Sequence, residues 1–398
     1  MRTHPVSTPP RPVDLFAVQP RVRLADYASA EAFARRHRAL AAQVHARRPR
    51  ARDGAPLRPA LAVWPALVGA PLALLGRPAR LERVAGCAGA REALREALRE
   101  AVGAVPGAEW PRVLGRTLRA RPRSRAEAFH VTVAPLVHRV LWGTFSAIAR
   151  DFGLWVVAGS AWLPENALGE GGEAFLARSA RTYATSYTFS PEGRCVAVTR
   201  QVDLGPGHAE ALGLSPGRAE ALPVVDTPFG RLGTLLDQDG GGAACAAAPA
   251  GGLTAAALLL DGLDVDVVAH PAAHAWCPVG GDGSRGPAAP RPEAGGPAPA
   301  EGLFHVRHVV SAQLVGELPE GGRGAPSRIL ARQGGEGARG PLSVLSCAED
   351  VREECVLHAA VDGAPPPAAH PALHPGARPA RPGARGPQAE RAGAQARG

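Results

Sequence analysis

The chain has no lysine: all 45 of its basic side chains are arginine, set against 36 acidic ones, for a formal charge of +9. No ammonium side chain can therefore stand beside a developing oxyanion anywhere in it. Aromatic residues make up only 5% of the sequence, without any recognition-helix, zinc-finger or stacking-sheet pattern. The excess charge consequently reads as a solvated basic surface, including the six arginines between Arg112 and Arg125, and not as a nucleic-acid interface. The cysteines, Cys87, Cys195, Cys245, Cys277, Cys347 and Cys355, contain no C-x-x-C pair. That spacing indicates neither a zinc site nor a small disulfide framework and fits a reducing compartment. Nowhere do 18 uninterrupted apolar residues occur, and Met1 to Arg11 holds no apolar stretch before a cleavage site. The expectation is a cytoplasmic protein with no membrane association, no metal and no other cofactor.

What is present is enough apolar material for a sizeable core, at 45% of 398 residues. Val13 to Val18 reads as a buried strand, followed by a helix from Ala30 to Val44 with Ser29 as N-cap. After an arginine-rich and proline-containing loop, Leu61 to Trp64 forms a second short strand, ended by Pro65. Ala90 to Val102 has helical spacing with Glu and Arg partners four apart. A helix from Pro135 to Asp151, stopped by Gly153, feeds a strand at Leu154 to Gly159. TYATSYTF and RCVAVTR, separated by Ser190, Pro191, Glu192 and Gly193, read as a hairpin ending at Gln201. Pro223 to Asp226 and Leu232 to Asp237 predict a further strand pair, and Val265 to Ala269, Val306 to Val315 and Cys355 to Val361 predict later strands. Strands alternating with helices argue for an α/β layered domain over 13–362 with helices on both outer faces. Residues 1–12 read as a polar leader, 278–300 as a disordered insertion and 363–398 as a disordered tail, because Gly, Pro, Ala and Arg bury too little apolar surface to offset their ordering entropy.

Set in order, these segments resemble the carbon-nitrogen hydrolase family, also called the nitrilase superfamily. FSAIARDFGLWVVAGS at Phe145 to Ser160 resembles the unit before its hairpin, and TYATSYTFSPEGRCVAVTRQVDL resembles the hairpin leading to its catalytic lysine. GLSPG at Gly213 to Gly217 and VVDTPFGRLGTLLDQD at Val224 to Asp239 resemble the approach to its nucleophile. GLDVDVVAHPAAHAW at Gly262 to Trp276 resembles the strand that follows, and Arg307 to Leu330 resembles a late strand pair, with Ser327 near a short G-x-S-x-I pattern. The resemblance implies a four-layer αββα sandwich and, for active members, hydrolysis of nitriles or amides by a cysteine thiolate, a glutamate base and a lysine cation.

Matched residue by residue, those three posts hold different chemistry here. LAVWPALVG places Ala66 at the glutamate post, and a methyl group moves no proton. TRQVDL places Gln201 at the lysine post, where an amide donates a neutral hydrogen bond without charge assistance. GTLLDQD places Asp237 at the cysteine post and keeps Asp239 two residues later. Tyr183 of the hairpin is retained, the asparagine often seen after it is Ala184, and a second structural glutamate falls near His208. The resemblance therefore implies a pseudoenzyme with Ala66, Gln201 and Asp237 at the pocket floor and Asp239, Tyr183 and His208 as pocket candidates. It would bind a small amide or carboxylate, and associate as a homodimer or with an active paralogue.

Two alternatives keep hydrolysis. Cys245, eight residues after Asp237, is a candidate displaced nucleophile, against the plainer reading of a small buried cysteine. Asp237 is a candidate carboxylate nucleophile, with Asp239 raising its pKa if the two side chains share a strand face. His270, His274, His305 and His308 read as structural or surface histidines, since Pro271 interrupts helical spacing and no further ligand accompanies them.

Overall fold

The computed structural model describes residues 11–75, 120–168, 175–204, 212–240, 253–273, 303–316, 326–332 and 342–363. The helix expected at 90–102, the arginines from Arg112 to Arg119, the 278–300 insertion, the tail after Gly363 and the first ten residues lie outside them, as do His208, Cys245 and His274.

Two sheets carry the molecule. The first contains β1 (Val13–Gln19), β3 (Ala60–Trp64), β4 (Trp155–Ala158), β5 (Ala161–Leu168), β6 (Phe175–Phe189), β7 (Cys195–Arg200) and β15 (Cys355–Val361). Its order is β15-β1-β3-β4-β6-β5, with β7 also on β6. The second contains β8 (Val224–Thr227), β9 (Gly230–Thr234), β10 (Val267–Ala272), β11 (His308–Gln313), β13 (Arg328–Arg332) and β14 (Leu342–Cys347) in the order β14-β13-β11-β10-β9-β8. In each sheet three central strands run parallel: β1, β3 and β4 in the first, β9, β10 and β11 in the second. The two-residue strands β2 (Arg21–Val22) and β12 (Val315–Gly316) pair in parallel on their own.

Strand alternation separates the layers. Val13, Leu15 and Ala17 of β1, Leu61 and Val63 of β3 and Val157 of β4 pack against Leu232, Val267, Ala269, Val310 and Ile329 of the second sheet. Phe16, Val18, Ala62, Trp64 and Val156 point the other way, against Phe33, Leu40 and Val44 of α1 (Ala30–Ala46) and Val137, Leu141, Phe145 and Ile148 of α2 (Arg125–Phe152). On the far side of the second sheet, Ala256, Ala257 and Leu260 of α3 (Ala255–Gly262) cover Leu235, Val265, Val268 and Val309. The described residues thus form an α/β sandwich of four layers, helix, sheet, sheet, helix.

Most expected strands begin and end close to their expected positions, but β6 begins at Phe175 and not at Thr182, and β14 was not expected. α2 begins ten residues before Pro135, because the Ser124 hydroxyl caps the Glu127 amide at 3.1 Å and leaves the proline inside the helix. This helix is long and apolar enough to span a bilayer by length and composition, but its apolar residues face the first sheet and α1. α3 and β5 were not expected: AAALLLDG has no periodicity, and AWLPENAL carries a proline. β9 stops at Thr234, so Asp237 lies in a 3-10 turn and not on the strand. Conversely, His270 and Pro271 belong to strand β10, which was expected to end at Ala269.

Arginine takes a structural role that lysine could not fill. Buried Arg48 donates from Nη1 to the carbonyls of Phe152 and Gly153, at 2.9 and 3.2 Å, and from Nη2 to that of Arg58, at 3.0 Å. The planar fork ties the end of α1 to the α2–β4 corner.

Candidate functional site

The glutamate post of the resemblance lies at the end of β3. Ala66 is buried, and the next residue, Leu67, has φ 61°. A left-handed backbone at a branched side chain is strained by about 1–3 kcal/mol and persists only where its surroundings hold it. Here the holding element is the β4–β5 junction: the Leu67 amide donates to Ser160 Oγ at 2.9 Å and the Gly69 amide to the Ser160 carbonyl at 2.9 Å. Gly159, at φ 65°, must be glycine because a Cβ there would stand 2.2 Å from the Pro65 carbonyl oxygen.

The position that the resemblance matches to the nucleophile is strained in the same way. Asp237 opens the 3-10 turn Asp237–Gly240 with φ 50° and is 8% exposed. Its Oδ1 accepts the Ala273 amide at 3.0 Å and its carbonyl accepts His270 Nε2 at 2.8 Å. A carbonyl only accepts, so Nε2 carries the proton, and Nδ1 lies 3.0 Å from Ser311 Oγ. His270 is therefore a buried structural histidine that seats the turn on β10 and β11.

Gln201, which the resemblance matches to the lysine, follows β7. The Gln201 amide extends the ribbon by donating to the Ala184 carbonyl at 2.9 Å, and its carbonyl accepts Gly217 N–H at 2.7 Å. Its Nε2 turns to the Asp203 carbonyl at 2.8 Å. Because Ser186 pairs Thr199, while Thr188 shares the inward face with Val157 of β4, Ala184, Ser186, Thr199 and Gln201 all face the second sheet. Tyr183 lies on the opposite face of β6, under the guanidinium of Arg200 at 4.7 Å, which is also 3.9 Å from Glu165.

Asp239 joins two of these posts. Fully buried, its carboxyl accepts the amides of Val202 at 2.9 Å, Asp203 at 2.6 Å and Leu236 at 3.3 Å, so one side chain pins the segment after Gln201 to the turn that carries Asp237. Burial raises its pKa to about 8 against those hydrogen bonds, and the neighbouring Asp203 carboxylate adds to the rise. Thr254 Oγ1 donates to the Asp239 carbonyl and ties in the start of α3. Asp237 and Asp239 do not share a strand face, as would be needed for one to tune the other. One reaches Ala273 and the other reaches Val202 and Asp203, because the chain has already turned.

Gln201 and Asp237 are thus brought together through Asp239. Ala66 belongs to the same buried apolar cluster as Ala273, whose amide holds Asp237. His305 is exposed beside Asp264, and His308 is buried with Nε2 3.1 Å from the Asp362 carbonyl. Ser327 donates its amide to Gln19 and accepts the Gln313 amide, each at 2.9 Å, which is a structural role. Sequence reasoning missed Ser160, Asp203, Gln238 and the Ser186–Thr199 pair. The last was legible in the alternation of TYATSYTF and RCVAVTR.

Neither a family model nor a curated protein matches the chain. Its neighbours among solved structures are nitrilase-superfamily proteins. An amidase from Nesterenkonia sp. is 16% identical over 90% of this chain and 93% of that chain, with a TM-score of 0.46. Saccharomyces cerevisiae Nit3, a member of branch 10 of the nitrilase superfamily, is 14% identical over 88% and 90%, with a TM-score of 0.45. A carbon-nitrogen hydrolase from Helicobacter pylori G27 is 12% identical over 88% and 89%, also at 0.45. At these values the likeness assigns no residue a role.

Proposed function

We propose that this chain is a carbon-nitrogen hydrolase-type protein that has lost hydrolysis and works by binding, in the cytoplasm, as a homodimer or beside an active paralogue. The observation that carries the reading is Asp237. It occupies the strained turn of the nucleophile post with a carboxylate whose Oδ1 is already engaged by Ala273 N–H. A carboxylate attacking an amide needs a base to deliver water and a cation to stabilise the oxyanion. Ala66 and Gln201 supply neither, and no lysine exists to replace them. Supporting it, the backbone at these positions is held in strained form by two left-handed residues, the Ser160 clamp and the Asp239 tie. Keeping strained geometry without its chemistry fits a pocket used for recognition.

The test is ammonia release by the purified protein from aliphatic, aromatic and carbamoyl amides and nitriles, beside an Ala66→Glu, Gln201→Lys, Asp237→Cys triple variant. Silence from the natural chain with slow turnover by the triple variant is expected. Ammonia release by the natural chain above a Cys245→Ala control would overturn the reading and move the chemistry to that cysteine.

A further inference from the structure

We propose that Cys347 and Cys355 form a reversible disulfide that fastens the edge of one sheet to the edge of the other, a redox device separate from the pocket.

The two residues are the last of β14 and the first of β15, which are edge strands of the second and the first sheet and approach each other on one side of the sandwich. The short loop from Ala348 to Glu354 crosses between the sheets, and all of it is described. One buried side chain draws its two ends together. Gln19, the strand partner of Cys355, accepts the Ser327 amide at 2.9 Å and donates to the carbonyls of Asp350 and Glu353 at 2.9 and 2.8 Å. Ser327 precedes Arg328, the strand partner of Cys347, and its carbonyl accepts the Ala348 amide at 2.9 Å.

Both thiols border Ala348. Cys355 packs on the cluster between the sheets that includes the Ala348 side chain, and Cys347 Sγ lies 3.5 Å from the Ala348 carbonyl oxygen. Each cysteine is free and half-buried. Burial pushes the Cys355 thiol up to about 11, against the Arg47 guanidinium, and a charge on Cys347 adds to the rise, so the two sulfurs are neighbours that feel each other's charge. Because Cys347 ends its strand, swinging its side chain toward Cys355 breaks no ladder hydrogen bond.

The step is exchange with a small disulfide such as glutathione disulfide. The Cys347 thiolate attacks one of its sulfurs and expels a thiolate; the Cys355 thiolate then attacks Cys347 Sγ and expels the other. Two protein thiols give up two electrons and two protons, and the small disulfide leaves as two thiols. Cys347 reacts first because burial disfavours the Cys355 thiolate. In a reducing compartment the bond is transient and follows the supply of oxidant. Among the described strands β15 pairs only with β1, so the bond gives it a second, covalent anchor.

Mass spectrometry of tryptic peptides tests this on the full chain, reduced and then equilibrated with glutathione disulfide without denaturant. Cleavage after Arg352 separates the two cysteines, so the bond appears as a joined pair of peptides that dithiothreitol splits. Most Cys347 and Cys355 joined to each other is expected, with slower hydrogen exchange along Cys355–Val361 in the oxidised protein and neither change in Cys347→Ser. Separate glutathione adducts, thiols that stay free, joining only after urea unfolds the chain, or equal joining to Cys195 would each overturn the proposal. Unchanged exchange along β15 in the joined protein would overturn the fastening. Circular dichroism checks that Cys347→Ser folds, and the peptides of the natural chain decide the bond without it.

Discussion

Asp239 is the residue on which the candidate site depends most, and its loss is predicted to be costly in a way its neighbour's is not. Replacing it with asparagine turns one acceptor oxygen into an NH2 facing the amides of Val202, Asp203 or Leu236, leaving buried donors opposed. A destabilisation of about 2–4 kcal/mol is expected by urea denaturation, from unsatisfied buried donors worth about 1–3 kcal/mol each. A midpoint within error of the natural chain would show that the tie carries no weight. Gly159→Ala is predicted to be worse, at about 3 kcal/mol or more, since its Cβ would lie 2.2 Å from the Pro65 carbonyl oxygen at φ 65°. Soluble expression and the denaturation midpoint check it. At this scale the sequence was half legible. Ala66, Gln201 and Asp237 could be singled out because each lies at or just past the end of a predicted strand with a recognisable pattern. The role of Asp239 could not, because the amides it binds lie 36 and 37 residues away along the chain.

At the scale of elements, α2 shows how a local signal can override a breaker. Pro135 was expected to start the helix, as a proline fits the first turn and lacks the amide an interior position needs. The capping pair Ser124 and Glu127 starts it earlier, and packing of Phe129, Ala134, Val137, Leu141 and Phe145 outweighs the lost hydrogen bond. Two outcomes follow. Pro135→Ala should restore a helical amide and stabilise the protein by about 1–3 kcal/mol, and Ser124→Ala should cost about 1 kcal/mol. Thermal melts of the two variants in opposite directions would confirm the account, and a destabilised Pro135→Ala would show that the ring itself is packed. α3 escaped notice for a related reason. Its run of Ala and Leu is apolar all round, and only the second sheet decides which residues it buries.

For the whole molecule, buried titratable groups set the pH dependence of stability. Burial lowers the pKa of His37 to about 3 and of His130 to about 4, so both remain neutral in the fold while the unfolded chain takes up protons below about pH 6.5. Burial likewise lowers the pKa values of His45 and His308. Stability must therefore fall as pH falls below about 6.5, by about 1.4 kcal/mol per pH unit for each fully shifted histidine. Asp239 acts in the opposite sense. With its pKa raised to about 8, the fold holds a proton that the unfolded chain has released above about pH 4, so this group removes stability as pH rises to about 8. The histidines outnumber it on the acid side, and it acts alone among these groups on the alkaline side, which places maximum stability near pH 6.5. Urea denaturation from pH 5 to pH 9 checks this. His37→Leu should flatten the acid limb by about 1.4 kcal/mol per pH unit, and a profile still rising past pH 8 would contradict the assignment.

The sequence by itself determined the layers and the vacancies in the chemistry. Period-two and period-3.6 patterns are short-range, so the first strands, α1 and the β6–β7 hairpin could be read from them. The missing lysine needs no structure at all. The tertiary structure alone decided what the posts now are. It turned Asp237 off its strand, tied the segment after Gln201 to that turn through Asp239, and left Asp203 Oδ2, Gln238 Oε1 and the hydroxyls of Ser186 and Thr199 buried without partners. Hydrogen bonds and burial join residues distant in sequence, and no local pattern encodes which of them will meet.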